Sequence, residues 1–406
     1  MNSILAGMRV IESSAFIAAP YAGMMLAQSG AQVIRVDMPG GGLDYRRWPV
    51  TEDGHSLYWH GLNKAKQSIC IDVRKSEGRE LLSRLVCAPG EENGIFLTNL
   101  PLQSPLDMAG LRQQRADVIV ASIIGSRSGA NAVDYTVNAA SGFPMMTGPA
   151  GHGGPVNSVI PAWDLLAGAS TAFGVLAAVL HRRACGEGQL LQLALEDIAL
   201  GTVGHLGYIA EAQLQGAERP RLGNDIYGSF GRDFRTRDGE LLMITAFTPK
   251  QWQSLLNATG MSERATALAA ALGLDFSKEG DRYRGRAPIS MLLEQWVGER
   301  SADQVEQAFA GKGVCYGWYR TVLDLVRRDS RCSEANPLFS TVQQPGLGAY
   351  LMPGSAIDFE ASARRPSAPA PVLGADTDRV LQEVLGMSSV QVKGLREREV
   401  VAGPTA

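Results

Sequence analysis

The sequence predicts an α/β protein: a large domain built on a parallel sheet, and a smaller α/β domain after it. Three observations carry this. Short apolar runs alternate with helical patterns from residue 8 to residue 195, the order that β-α-β units produce. Composition shifts over residues 216–223, and an antiparallel hairpin signal follows. At 406 residues the chain is too long for one small core.

Residues 8–11 read as a short buried strand and 12–19 as the loop after it. Pro20 suits the first position of a helix over 21–29, and Gly30 suits its left-handed cap. Residues 33–37 form a second strand ending in Asp37, which completes a β-α-β unit. Asp37 falls where a dinucleotide fold carries its ribose-binding acid, but the first turn, ESSAFIAAP, lacks G-x-G-x-x-G. A nicotinamide cofactor is therefore not expected. Gly40-Gly41-Gly42 reads first as flexible loop and second as an anion-binding nest.

The alternation continues with strands at 68–73, 94–98 and 118–124 and helices at 78–86 and 111–115. A long helix over 164–183 stops at Gly186, and a strand at 189–195 follows. In that helix Gly168, Ala169 and Gly174 leave room for other backbone to approach. Residues 196–215 are predicted helical and mostly buried, since Gly201, Gly204 and Gly207 offer little side chain to stabilise a helix otherwise. Beyond the composition shift, strands at 230–236 and 240–247 flank the hairpin turn Asp238-Gly239. Thr248-Pro249-Lys250-Gln251 opens a helix with a capping box and a proline at the first helical position. Arg282, Arg284 and Arg286 are expected on a solvated basic edge, and Trp296, Trp318 and Tyr319 in a core. Residues 359–372 read as an extended connector, with short helices at 377–385 and 389–396 behind it.

A net charge of -3 gives no basis for nucleic-acid or membrane-surface binding. Five scattered cysteines, odd in number and without C-x-x-C, point to reduced thiols in a cytoplasmic protein. The start, MNSILAGMRVIESSAF, lacks the pattern of a secretory leader. The uncharged run over 165–180 is 16 residues long, short of the roughly 20 a membrane span needs. A buried core helix explains it better.

The common catalytic constellations are absent: no H-E-x-x-H, G-x-S-x-G, Walker loop or Cys/His cluster. The five histidines show no ligand spacing, so no metal is expected. Carboxylate chemistry remains, and its focus is Asp164 in Pro161-Ala162-Trp163-Asp164, at the mouth of the long helix. Locally it reads as a helix cap. It also suits a covalent nucleophile held ionised beside an electrophilic acyl group. An apolar pocket can raise the ordinary carboxylate pKa near 3.9 by as much as about 3–5 pH units. A helix N-terminus returns only about 0.3–2 kcal/mol. Further donors are needed, and backbone N–H groups of the loop 148–154 could supply them. Capping and nucleophilicity are compatible here, because the N–H groups a cap satisfies also favour the anion.

The order GMRVIESSAFIAAPYAGMMLAQSGAQVIRVDMPGGGLDYRR, GLNKAKQSICIDV, FLTNLP, VDYTVNAASGFPMMTGP, PAWDLLAG, GEGQLLQLAL, PRLGN and APVLGADTD resembles the class III CoA-transferases over essentially the whole chain. GGGLDYRRWPVT, VDYTVN, MTGP, PAWD, RDF and YLMPGS are most similar to a branch that moves CoA between the two carboxyls of one unsaturated C5 diacid. The resemblance implies an acyl-CoA substrate, a covalent aspartyl intermediate at Asp164 and no other cofactor. An intermolecular transferase, passing CoA to a free acid, is the alternative. A racemase is disfavoured, because Asp134-Tyr135 stands where such relatives carry a histidine. An acyl-CoA-binding protein without catalysis is disfavoured by the intact Asp164.

By the same resemblance, Phe16 and Ile17 line the CoA and active-site pocket, Ile71 and Arg74 contact the nucleotide end of CoA, Asn99 lies near the pantetheine, and Tyr135 lies close to the reacting acyl group. Met38 and Ile124 depart from the basic residues some relatives use at the adenine and the phosphates. The implied architecture is an interlocked homodimer. Its large Rossmann-like domain comes from residues 1–216, a small α/β domain spans 217–345, and 346–406 connect back to the large domain.

Overall fold

The computed structural model describes residues 4–364 and 366–404. In chain order the strands are β1 (Arg9–Ser13), β2 (Gln32–Asp37), β3 (Gln67–Ile71), β4 (Ile95–Thr98), β5 (Ile119–Ile124), β6 (Leu190–Ala194), β7 (Phe230–Arg235), β8 (Leu241–Ala246), β9 (Cys315–Trp318), β10 (Phe339–Gln344), β11 (Gly348–Pro353) and β12 (Val401–Ala402). The chain divides into two compact units: Met1–Ser141, Ser158–Leu214 and Ser330–Ala406 make the first, and Gly142–Asn157 with Gln215–Asp329 make the second.

The first unit is built on a seven-stranded sheet ordered β12-β3-β2-β1-β4-β5-β6. Every pairing is parallel except the antiparallel edge pair of β12 with β3. This confirms the parallel α/β class. Strands β1 to β5 are buried almost throughout, as helices on both faces require. The strand order reverses between β1 and β4, so their C-terminal ends flank the crevice where such sheets bind ligands. The tail returns to this unit. Val380, Leu381, Val392, Leu395 and Val400 join Ile34, Ile69, Leu82 and Val120 in one core, and the Asp376 carboxylate accepts from Ser68 N–H at 2.8 Å.

Several boundaries differ from expectation for identifiable reasons. The first helix runs Ala18–Gln28 with Pro20 at its third position, still within the turn whose N–H groups have no intrahelical partner. The long helix spans Ala162–Cys185, and Gly186 caps it at φ 77°. It has the length and apolarity of a membrane span, but it packs against Ala18–Gln28. A Cβ on Gly168 would lie 2.6 Å from the Ala18 carbonyl, so close approach requires glycine there; Gly174 makes no such approach. The helix predicted over 196–215 is two, Leu195–His205 and Tyr208–Gln215, broken at Gly207 with φ 83°. The first is mostly half-buried and the second mostly exposed, short of the expected burial.

The second unit holds the antiparallel sheet β7-β8-β9 and its helices. Asp238-Gly239 makes the β7–β8 turn, and Thr248 and Gln251 form the reciprocal capping box. Its core contains Phe230, Phe234, Trp252, Phe276, Trp296 and Phe309, with Trp296 and Phe309 stacked at 5.4 Å between ring centroids. Trp318 only partly joins this core and Tyr319 is exposed. Arg282 is not on a solvated edge: it is fully buried and donates to the carbonyls of Phe276, Ser277, Ala246 and Phe247. Residues 142–157 belong with this unit through Gly223 N–H donating to the Gly148 carbonyl. The β10–β11 hairpin, expected partly in the small domain, belongs to the first unit, where Lys64 donates to the Pro353 carbonyl and Gln344 pairs with Ala370.

Candidate active site

Asp164 sits in the first turn of Ala162–Cys185, and its side chain makes no cap. The cap comes from elsewhere. One carboxylate oxygen of Asp134 accepts from Trp163 N–H at 2.8 Å and from Asp164 N–H at 3.0 Å. Asp134 opens the helix Asp134–Ala140, which Asn138 also docks by accepting from the Trp163 indole at 3.2 Å. The reading of Asp164 as its own helix's cap is thus corrected. The N–H groups that would have favoured its anion are already taken.

The electrostatics follow from this arrangement. Burial pushes the Asp164 carboxyl up to about 7, the Asp134 charge adds to the rise, and the Arg47 cation opposes it. Asp134 is also raised by burial, against its two backbone hydrogen bonds. Asp164 is therefore a half-buried carboxyl poised near neutrality, basic enough to attack an acyl carbon and ionised in a useful fraction.

The loop after β1 supplies a second wall. Asn99, just past β4, brackets it by accepting from Ala15 N–H at 2.9 Å and donating to the Ala15 carbonyl at 2.7 Å. Phe16 then takes a left-handed φ of 65°, sparsely populated by non-glycine residues. Asp44 over-determines it: its carboxylate accepts from Phe16 N–H at 3.1 Å while its carbonyl accepts from Arg47 N–H at 3.1 Å. Arg47 consequently lies over the Phe16 ring at 5.2 Å and the Tyr58 ring at 5.3 Å. The Tyr58 hydroxyl is buried without a hydrogen-bond partner. Its pKa is raised by burial first, with Arg47 opposing and Asp164, Asp44 and Tyr135 adding to the rise.

Beneath this wall lies a buried charge cluster. Arg35 meets Asp37, Asp44 and Glu12 at 2.9, 3.0 and 3.3 Å, and Lys66 meets Glu12 at 2.9 Å. Burial alone would lower the Arg35 pKa, but the three carboxylates leave it raised and charged. Lys66 is lowered by burial to about 8 despite Glu12. Asp37 is thereby committed to Arg35 in bidentate fashion, which explains why it offers no ribose site. The glycine run packs onto this cluster: a Cβ on Gly42 would lie 2.8 Å from Asp37 Oδ1.

The fold therefore gathers Asp164, Phe16 and Tyr135 around Arg47 and Tyr58, with Asn99 behind the Phe16 loop. Ile17 is buried as the residue preceding Ala18–Gln28. Ile71 is buried at the end of β3 and lines a cleft of about 210 Å³ with Met38, Leu43, Val73 and Leu100. Arg74 is exposed, its guanidinium held by Asp72 at 2.8 Å. Asp134, Arg47 and Tyr58 were not singled out as site residues by sequence. The doublet Arg46-Arg47 beside Trp48, after the glycine run, was the available signal for one of them. His181, Cys185 and Glu187 do bring potential ligand atoms within 4.8 Å of one another, contrary to the expected lack of ligand spacing, but on an exposed helix end.

Comparison with known proteins bears directly on this site. The model of CoA-transferase family III matches residues 5–377. The chain belongs to this family. It is 51% identical to the 2-methylfumaryl-CoA isomerase of Chloroflexus aurantiacus, over 100% of this chain and 99% of that protein. It is 25% identical to the alpha subunit of the succinyl-CoA–L-malate CoA-transferase of the same organism, covering 98% of this chain and 92% of the other. Among solved structures, a CaiB/BaiF family protein from Brucella suis superposes with TM-score 0.76 at 25% identity, covering 95% of this chain and 100% of that one. This family III chain thus carries its uncapped aspartate on a fold shared with those proteins.

Proposed function

We propose that the protein moves CoA between the two carboxyls of mesaconate, converting 2-methylfumaryl-CoA to 3-methylfumaryl-CoA. The observation that carries the chemistry is the Asp164 carboxylate, released from capping by Asp134 and poised near neutrality. The choice of acid is supported by full-length identity of 51% to a relative named for that reaction.

Ionised Asp164 attacks the C1 thioester carbon, forming an aspartyl–mesaconyl anhydride and releasing CoA thiolate. The thiolate attacks the aspartyl carbonyl, giving an enzyme–CoA thioester and mesaconate. Mesaconate turns, and its C4 carboxylate attacks that thioester to form the second anhydride and thiolate. Attack of the thiolate on the C4 carbonyl yields product and returns the Asp164 carboxylate. Keeping both fragments in place makes the return transfer effectively unimolecular. In this reading CoA is part of the substrate and no metal or redox cofactor takes part. Ile17, Ile71, Arg74 and Asn99 serve the CoA side, and Phe16 and Tyr135 the acyl side. The working unit is a cytoplasmic homodimer; exposed Phe173, Leu180, Leu206 and Leu214, apolar and 60% or more accessible, support a covered face.

Incubation with 2-methylfumaryl-CoA followed by peptide mass spectrometry should place an adduct on the Asp164 peptide. Free labelled mesaconate should stay out of the product. Ready incorporation of label would instead establish an intermolecular transferase.

A further inference from the structure

Among the described residues, one cation of the site has a charge that is not already used. Arg35 is consumed by three carboxylates and Arg74 by Asp72. Among the described residues no acidic side chain pairs with Arg47, and its guanidinium lies over the rings of Phe16 and Tyr58. The backbone on either side is held. Arg47 N–H donates to the Asp44 carbonyl at 3.1 Å, and Ser56 Oγ, which also caps the helix Leu57–Leu62, donates to the Arg47 carbonyl at 2.5 Å. A guanidinium resting on aromatic faces keeps its in-plane N–H fork free for a carboxylate. The acidic and phenolic groups that face it are Asp164 and Tyr58, with Tyr135 near Tyr58, Asp134 behind Asp164 and Asp44 already bound to Arg35.

We propose that Arg47 is the specificity residue that binds the carboxylate not engaged in the thioester. The inference rests on the diacid reading above. The trans double bond holds the two carboxyl groups of mesaconate at opposite ends of a rigid unit. When either end lies at Asp164, the other falls at one common position. A single cation there serves C4 in the first half of the reaction and C1 after the acid has turned. It also retains free mesaconate while CoA rests on Asp164, which an acid with one carboxyl could not exploit.

The test compares 2-methylfumaryl-CoA with its C4 methyl ester, as single-turnover adduct formation on Asp164, in wild type, Arg47→Gln and Arg47→Lys. Measurement at about pH 8.5, above the Asp164 value of about 7, limits changes in its ionisation, and any that remain act equally on both substrates. Wild type should favour the diacid by about 100-fold in adduct-forming efficiency. Arg47→Gln should lose about 100-fold on the diacid and little on the ester, so the preference disappears, and Arg47→Lys should recover about tenfold. Equal losses on both substrates, or a preference that survives in Arg47→Gln, would overturn the assignment. Absence of an adduct with either substrate in wild type would instead overturn the transferase reading on which it rests.

Discussion

The Asp134 carboxylate caps the helix that carries Asp164, accepting from Trp163 N–H and Asp164 N–H through one oxygen. Two acids thus divide two tasks at one helix mouth. Asp134 satisfies the backbone donors, and the Asp164 carboxylate is left out of the cap. Their proximity also helps to hold Asp164 near neutrality rather than in the ordinary carboxylate range.

Replacing Asp164 with Asn should lower turnover by about 10⁴-fold or more, because the amide cannot form the anhydride. The same variant should be more stable at pH 8. The folded value of about 7 lies above the ordinary 3.8, so the folded state is penalised for ionising this group. That penalty is absent below about pH 4, grows between about 4 and 7, and is complete above. The expected gain at pH 8 is about 1–4 kcal/mol by denaturant titration, fading towards pH 4.

Adduct formation should depend on pH through the same group. Only the carboxylate attacks, so kcat/KM for the first half-reaction should fall tenfold per pH unit below about 7 and level off above it. Asp134→Asn keeps an oxygen for the cap but removes a neighbouring negative charge. Its acid limb should move to lower pH. An unmoved limb would show that the Asp134 charge does not contribute to the Asp164 value.

Asp134→Ala removes the cap altogether. It should cost about 1–2 kcal/mol of stability, the range for losing a helix N-cap. Asp134→Asn should restore most of it, measured by the same denaturant titration.

Arg35→Met leaves Glu12, Asp37 and Asp44 buried with only Lys66 to offset them. Removing one partner from such a cluster costs about 3–5 kcal/mol. Because Asp44 also holds Phe16 N–H, the loss should reach the site as a weaker KM as well as a lower melting midpoint.

Arg282→Met should destabilise the second unit by about 2–4 kcal/mol, since four carbonyls, two of them in buried hydrogen bonds, lose a charged donor. Limited proteolysis within 215–329 would report it.

Much of this protein was legible from residue order. Apolar runs of strand length, punctuated by Gly30, Gly186 and Asp238-Gly239, are local signals, and they located most elements of the fold. The motif order was likewise enough for the family. What failed were readings that depend on partners distant in sequence. Arg282 looked like surface charge, but four carbonyls surround it. Residues 142–157 looked continuous with the first domain, yet they pack with the second.

The sequence by itself therefore determined the α/β class and the family and pointed to Asp164 as the candidate acid, because periodicity, turn chemistry and motif order are properties of neighbouring residues. Only the tertiary structure decided what that acid is free to do. Asp134 lies 30 positions before Asp164, Arg35 reaches back 23 to Glu12, and Asp44 reaches back 28 to Phe16. Those contacts set the cap, the pKa and the placing of Arg47, because electrostatic and hydrogen-bond energies depend on distance through space and not along the chain.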